Sequence, residues 1–317
     1  MDFEKPILEL EKKIKELRSF ISDKKIDLSS EVKRLEDKLE HLRKDIYTNL
    51  TPWQRVQIAR HPKRPYTQDY IAMITTDFME LHGDRSFSDD KAIIGGLAKI
   101  DSQKILIMGH QKGRDTKENI KRNFGCAHPE GYRKALRFMQ MAEKFQLPIV
   151  ILIDTPGAYP GIGAEERGQA QAIALNLREM ISLAVPIVAI VIGEGGSGGA
   201  LGVGVADRVS VLENSYYSVI SPEGCAAILW KSSAKAPDAA AVLKLTGADL
   251  LKFGIIEGII SEPLGGAHCD AQATANNIKE SVVKDLKELN KLNKEDLLKQ
   301  RYKKFRDIGV FGKPSAD

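Results

Sequence analysis

Residues 185–199 read Val185-Pro186-Ile187-Val188-Ala189-Ile190-Val191-Ile192-Gly193-Glu194-Gly195-Gly196-Ser197-Gly198-Gly199. A short apolar run rich in β-branched residues and stopped by glycines is a strand buried on both faces. The chain repeats the arrangement upstream. Leu147–Ile153 is continuously apolar and runs into Asp154-Thr155-Pro156-Gly157-Ala158-Tyr159-Pro160-Gly161. Between the two runs, Ala164–Leu183 has the spacing of one long helix. Buried strands separated by helices form parallel sheets with helical crossovers, so the fold class is α/β. In such sheets ligands bind beyond the carboxyl ends of the strands, where both glycine-bearing turns fall.

The flanks extend this pattern. Asp69–Leu81 is helical by spacing, and Gly95–Ile100 pairs with Lys104–Gly109 around Asp101-Ser102-Gln103. Gly131–Phe145 is an amphipathic helix. Downstream, Arg208–Leu212 and Tyr216–Ile220 are short strands. Ser221-Pro222-Glu223 is a helix start, with serine as cap and proline first. Ala239–Leu245 and Asp249–Phe253 are helical, Ile255–Ile260 is a last strand, and Ala271–Phe305 returns to charged amphipathic helix.

The first fifty residues differ from the rest. Ile7, Leu10, Ile14, Leu17 and Ile21 form one helical stripe, and Leu28, Val32, Leu35, Leu39, Leu42 and Ile46 form another. The polar break Ser22–Asp27 separates them, so two antiparallel helices are expected, serving assembly rather than chemistry. The chain thus divides into a helical hairpin (1–50), a core (51–265) and a helical C-terminal extension (266–317). Leu50–Tyr70 carries Pro52, Pro62, Pro65 and the basic cluster Arg60-His61-Pro62-Lys63-Arg64. It reads either as a solvated connector or as a contact for an anionic group or partner subunit.

Bulk properties exclude several classes. With 43% hydrophobic and 28% charged residues, the 317-residue chain is ordinary globular material. A net charge of +4 makes no case for nucleic acid or membrane. The charged start has no signal-peptide core, and no apolar run reaches the roughly 18 residues of a membrane span. Cys126, Cys225 and Cys269 are scattered, so neither a zinc site nor a disulfide framework is indicated. Reduced thiols in the cytoplasm are the expectation.

Glycines at this density let backbone approach a ligand and aim N–H groups at it, the ingredients of an oxyanion hole. Two other patterns overlap the second turn. Gly193-x-Gly195-x-x-Gly198 is formally a dinucleotide fingerprint, with Glu213 near the place of a ribose acid. Gly195-Gly196-Ser197-Gly198-Gly199 is also a nucleophile elbow, for which His268 is the only later histidine. None of His41, His61, His82, His110, His128 and His268 pairs at metal-ligand spacing. With no strong acid–base constellation, the chemistry leans on backbone donors.

Several long motifs resemble the α subunits of bacterial acetyl-CoA carboxylase carboxyltransferases. They are Asp154–Gly161 with Ile162–Gln169, Gly193–Leu201, Ser218–Ala226, Leu81–Phe87, Gly109–Phe124, His128–Arg133 and Glu262–His268, and the likeness covers nearly the whole chain. The resemblance implies a crotonase-like ββα superhelix with two sheets near right angles, and a carboxyltransferase domain over roughly 40–295. It implies transfer of the carboxyl group from carboxybiotin, borne on a biotin carboxyl carrier protein, to acetyl-CoA, giving malonyl-CoA for fatty-acid synthesis. The α subunit would supply the biotin side, and a β subunit with a zinc ribbon the acyl-CoA side, in an α2β2 assembly. A biotin carboxylase component would use the ATP. Biotin's own ring nitrogen would take the methyl proton, which accounts for the missing general base.

The resemblance also implies site roles. Gly198 and Gly199 would donate to the ureido oxygen, with Gly157 and Ala158 opposite. Gly195, Gly196, Pro156 and Tyr159 would surround the biotin, and no metal belongs to this subunit. In the loop His110–Phe124, Lys112, Arg114 and Lys117 are either a solvated basic loop or contacts to CoA phosphates or carrier protein. The competing readings are a serine hydrolase using Ser197, a stand-alone crotonase-type acyl-CoA enzyme, and a non-catalytic assembly protein.

Overall fold

The computed structural model describes residues 1–24, 28–309 and 312. Helices α1 (Lys5–Lys24) and α2 (Ser29–Thr48) form the expected hairpin. Ile14, Val32 and Leu35 are buried between them, and the ion pairs Arg18–Glu36 and Arg43–Glu11 cross at antiparallel positions. Lys25–Asp27 of the expected break lie outside the described residues, as does the end of the C-terminal extension beyond Gly309 apart from Gly312.

The core follows in order: α3 (Pro52–Ala59), α4 (Thr67–Ile74), β1 (Thr76–Glu80), β2 (Ile93–Ile100), β3 (Gln103–His110), α5 (Thr116–Lys121), α6 (Pro129–Lys144) and β4 (Ile149–Thr155). Then come α7 (Ile162–Glu166), α8 (Gln169–Met180), β5 (Ile187–Gly196), α9 (Ser197–Leu201), β6 (Arg208–Leu212) and β7 (Tyr216–Ser218). The remainder is α10 (Pro222–Trp230), α11 (Ala236–Leu243), α12 (Gly247–Lys252), β8 (Gly258–Ile260), α13 (Ala271–Leu289) and α14 (Lys294–Arg306).

The strands form one sheet in the order β1-β2-β3-β4-β5-β6-β8, with β7 branching from β5. From β3 to β8 every pair is parallel. Alternation explains the continuous apolar runs. Ile149, Ile151, Ile153, Ile187, Ala189 and Val191 face the cluster that includes Phe138 and Met139 of α6 and Ala172 of α8. Val150, Leu152, Val188, Ile190 and Ile192 face α4 and α13. A strand covered on both sides has no position for a polar side chain. Ser221 caps α10 as expected, its hydroxyl accepting the Gly224 N–H at 3.1 Å.

Several expectations are corrected. Asp69–Leu81 is not one helix: the backbone extends at Thr75, and Thr76–Glu80 pairs with β2 as the edge strand. The apolar spacing past Ile74 is accidental, since Met79 is 63% exposed. The long helix over 164–183 is two, α7 and α8, separated at Gly168, whose φ of +78° suits glycine. The C-terminal tail likewise divides into α13 and α14, with Asn293 capping the second. Tyr216–Ile220 shortens to β7, and the last strand is confined to β8.

The implied pair of sheets is one hydrogen-bonded set with a branch: β5 pairs with β6 through Val188–Val191 and with β7 through Glu194–Gly196. The main surprise is β5 itself. The glycine cluster is not a turn. Strand geometry persists to Gly196, and helix begins at Ser197.

Candidate active site

Strand β4 delivers the Asp154–Gly161 segment and β5 delivers Gly193–Gly199, and neighbouring parallel strands bring the two together. Thr155 pairs with Gly195 across an irregularity in the ladder, two residues of β5 further on than the Ile153–Val191 pairing would place it. The approach is so close that only glycine fits. A methyl on Gly199 would lie 2.4 Å from the Gly157 carbonyl carbon and 2.5 Å from the Ala158 nitrogen. One on Gly196 would lie 2.2 Å from the Pro156 oxygen. By contrast, a methyl on Gly198 would meet only Ile173 Cδ1, at 3.7 Å. The Tyr132 hydroxyl donates to the Gly199 carbonyl at 3.3 Å, and the Asn176 amide to the Gly202 carbonyl at 3.0 Å, which holds α9 in place.

Three N–H groups at this contact have no acceptor among the described residues: Ala158, Gly198 and Gly199. The last two are first-turn donors, which a helix cannot satisfy internally. The Gly157 N–H is already taken by Thr155 Oγ1 at 3.1 Å, so Gly157 contributes shape rather than a donor. Gly195 and Gly196 are buried ladder residues paired with β7. Tyr159 packs on His128 with ring centroids 4.0 Å apart and planes tilted by 31°, and its N–H donates to Ala127 O.

Beside the contact lies an apolar cavity of about 460 Å³, lined by Ser197, Gly198, Leu201, Tyr217 and Val219 together with Phe305 of α14 and Ile308 just past its end. Ser197 sits in the left-handed region at φ +54°, the strained backbone of a nucleophile elbow. Yet among the described residues neither a histidine nor an acid lines this cavity. His268 is instead stacked on His61, with centroids 3.7 Å apart, and burial lowers its pKa to about 4. Ser197 has no base among the described residues, and the hydrolase reading is not supported. Glu213, the supposed ribose acid, accepts the Glu262 N–H at 3.2 Å, and α9 spans only Ser197–Leu201, so the dinucleotide reading fails too.

Pro156 itself lines a second, polar cavity of about 410 Å³, together with Arg60, His61, Tyr66, Lys112, Phe124 and Glu194. Its floor is a charge network that sequence reading did not find. Lys112 Nζ reaches Asp154 Oδ1 at 2.7 Å and Glu194 Oε1 at 2.8 Å. The other Glu194 oxygen takes Arg60 Nε and the Tyr216 hydroxyl, each at 2.7 Å. Asp154 Oδ1 also accepts the Glu194 N–H at 2.9 Å. Burial alone would lower Lys112, but the two carboxylates outweigh it and hold its pKa above the ordinary lysine value. Burial would raise Glu194, yet Lys112 and Arg60 bring it down to about 2. The network stays charged and ties the end of β4 to β5.

The other basic residues separate. Lys112 is not on a solvated loop: its side chain is 12% exposed and doubly paired. Arg114 pairs with Asp69, donates to the Arg64 carbonyl at 2.8 Å and lies over the Tyr66 ring. Lys117 is exposed and makes no ion pair among the described residues. The proline-rich segment 50–70 is no connector either. Arg64, 1% exposed, is paired with Glu262 and donates to the Ile192 carbonyl at 2.7 Å. No cluster of His, Cys, Asp or Glu suited to a metal occurs among the described residues, and no described helix is long and apolar enough to cross a membrane.

Comparison with known proteins places this geometry in context. Residues 1–309 match the family described as acetyl co-enzyme A carboxylase carboxyltransferase-like. The chain is 59% identical over 311 residues to the acetyl-coenzyme A carboxylase carboxyl transferase subunit alpha of Geobacillus sp. (strain WCH70), covering 98% of this chain and 96% of that protein. The Geobacter metallireducens protein of the same name is 57% identical over 311 residues, covering 98% of each. Among solved structures, transcarboxylase 12S matches 72% of this chain and 44% of its own, with a TM-score of 0.56 at 19% identity, which is a likeness of fold.

Proposed function

The chain belongs to the acetyl co-enzyme A carboxylase carboxyltransferase-like family, and from that premise we propose that it is the biotin-side subunit of a carboxyltransferase that makes malonyl-CoA. Its co-substrates on this reading are carboxybiotin on a biotin carboxyl carrier protein and acetyl-CoA. Its partner is a homologous zinc-bearing β subunit in an α2β2 assembly, in the cytoplasm, with a biotin carboxylase supplying the carboxybiotin at the expense of ATP.

One observation carries the reading. The free N–H groups of Ala158, Gly198 and Gly199 lie where two glycine-dependent segments touch. The apolar cavity beside Gly198 suits a small fused-ring ureide, whose polar edge would meet the donors and whose apolar edge the wall. Bound there, biotin supplies the carboxyl group and a ring nitrogen able to take the methyl proton.

The chain's own task is electrostatic. Ala158, Gly198 and Gly199 hold negative charge at the ureido oxygen; such a donor is typically worth about 3 kcal/mol of transition-state stabilisation. Pro156, Gly157 and Gly196 set the spacing of the two segments. The Lys112 network keeps both strand ends rigid, so the donors need no reorganisation. The reading is tested by mixing the chain with a β subunit and measuring malonyl-CoA decarboxylation with and without biotin. Consumption that requires both the β subunit and biotin supports it. Activity of this chain alone, or labelling of Ser197 by a phosphonate, overturns it.

A further inference from the structure

We propose that the C-terminal helix α14, which lies outside the core as judged from sequence, is a wall of the transfer site, with Phe305 and Ile308 as residues that determine affinity for the biotinyl group. The proposal rests on the functional reading above and assigns new residues to it.

Arg301 anchors this helix to the core. Its side chain is fully buried at the centre of α14. A guanidinium has five N–H donors, and a buried one left unsatisfied is costly. Here every donor direction is used. Nε and Nη2 grip the two Asp207 oxygens at 2.8 and 2.7 Å. Nη1 donates to the Met180 and Leu183 carbonyls at 2.8 and 2.7 Å, and Nη2 to Val185 O at 2.8 Å. Asp207 Oδ2 also accepts the Ile187 N–H at 2.7 Å, the first residue of β5. Arg301 therefore fastens α14 to the end of α8 and to the start of β5, the strand that leads into Gly198 of α9. Lys304 adds a second tie, to Glu257 at 2.7 Å and the Ala206 carbonyl at 3.0 Å.

The next side chains are the consequence. Phe305 packs against the main core, and both it and Ile308 line the apolar cavity that contains Ser197 and Gly198. Ile308 is 37% exposed there. The helix thus brings Phe305, and the residues just past its end bring Ile308, to the cavity that holds a free Gly198 N–H. A ligand whose polar edge meets that N–H lays its apolar edge against Phe305 and Ile308. Arg301 acts only by holding them, and is a positioning residue.

The experiment uses the α–β complex with free biocytin and malonyl-CoA. Phe305→Ala is expected to weaken biocytin binding, measured by calorimetry without turnover, about tenfold, and to raise the biocytin KM equally. It should leave kcat and the malonyl-CoA KM within about twofold. Phe305→Leu, which restores apolar bulk, should recover most of the affinity. Arg301→Lys, which cannot reproduce the fork, should show the same selective rise in biocytin KM in a complex that still assembles. Unchanged biocytin affinity in Phe305→Ala, or a rise confined to the malonyl-CoA KM, overturns the proposal. A wild-type complex with no biotin-dependent activity at all would instead defeat the functional reading beneath it.

Discussion

Replacing Lys112 with methionine probes how the site is held together. The substitution keeps the apolar stem and deletes the ammonium that lies 2.7 Å from Asp154 and 2.8 Å from Glu194. Glu194 retains Arg60 and the Tyr216 hydroxyl, whereas Asp154 retains the Glu194 N–H. Removing one partner of a buried ion pair costs about 3–5 kcal/mol, because the remaining charge is stranded. The surviving partners of Glu194 place the expected loss near the lower end, at about 3 kcal/mol. Urea unfolding of wild type and variant at pH 7 measures it. The pH dependence supplies a second check. Glu194 has its pKa lowered to about 2 in the fold from 4.5, so its contribution is full above pH 4.5 and lost as pH falls towards 2. The gap between the two proteins should therefore narrow as pH falls below 4.5. Adding Asp154→Asn removes the stranded charge and should return part of the loss. A single variant within about 1 kcal/mol of wild type at pH 7 would refute the idea that Lys112 secures the two strand ends.

Other outcomes are expected elsewhere. His110 is buried with neither ring nitrogen hydrogen-bonded among the described residues, and burial lowers its pKa to about 3. The unfolded chain therefore binds the extra proton between pH 6.5 and 3, and His110→Leu should flatten the acid loss of stability by up to about 1.4 kcal/mol per pH unit there. Ser197→Gly relieves a left-handed serine and should keep carboxyl transfer within a few-fold while gaining up to about 1 kcal/mol in unfolding free energy; loss of activity beyond a hundredfold would revive a nucleophilic serine. Lys117→Ala should leave stability within about 0.5 kcal/mol, whereas Arg114→Ala should lose about 1 kcal/mol with its stacking on Tyr66; equal effects in thermal melts would contradict that separation.

The strands were legible because burial on both faces leaves no room for polar side chains. Val188, Ile190 and Ile192 face one layer, and Ala189 and Val191 the other. The helix expected over 69–81 failed because the edge pairing of Thr76–Glu80 with β2 is a tertiary event that local spacing does not report. The donor segments were legible through their glycines, although α9 starts inside the cluster rather than after it. The ion network was missed because its members are far apart in the chain. A signal was present: Asp154 and Glu194 are single acids closing long apolar strands, and buried carboxylates require a cation. Arg60, Arg64 and Lys112 were the available cations, but each stands in a basic segment that reads equally as solvated or as a contact for an outside anion or partner. Phe305 and Ile308 were hidden for a similar reason, since nothing in a charged amphipathic tail reveals which cavity its end will reach.

The central claim is that the Gly199 and Ala158 backbones must touch for the donors to converge. Gly199→Ala and Gly198→Ala, each assembled with a β subunit, test it through the kcat of biotin-dependent malonyl-CoA decarboxylation. The first methyl would collide with Gly157 and Ala158 at 2.4 and 2.5 Å, while the second meets only Ile173 at 3.7 Å. The account predicts a loss of about 10²–10³ for Gly199→Ala, with assembly intact, and a change of only a few-fold for Gly198→Ala. Equal rates in the two variants, or a near-normal Gly199→Ala, would contradict it.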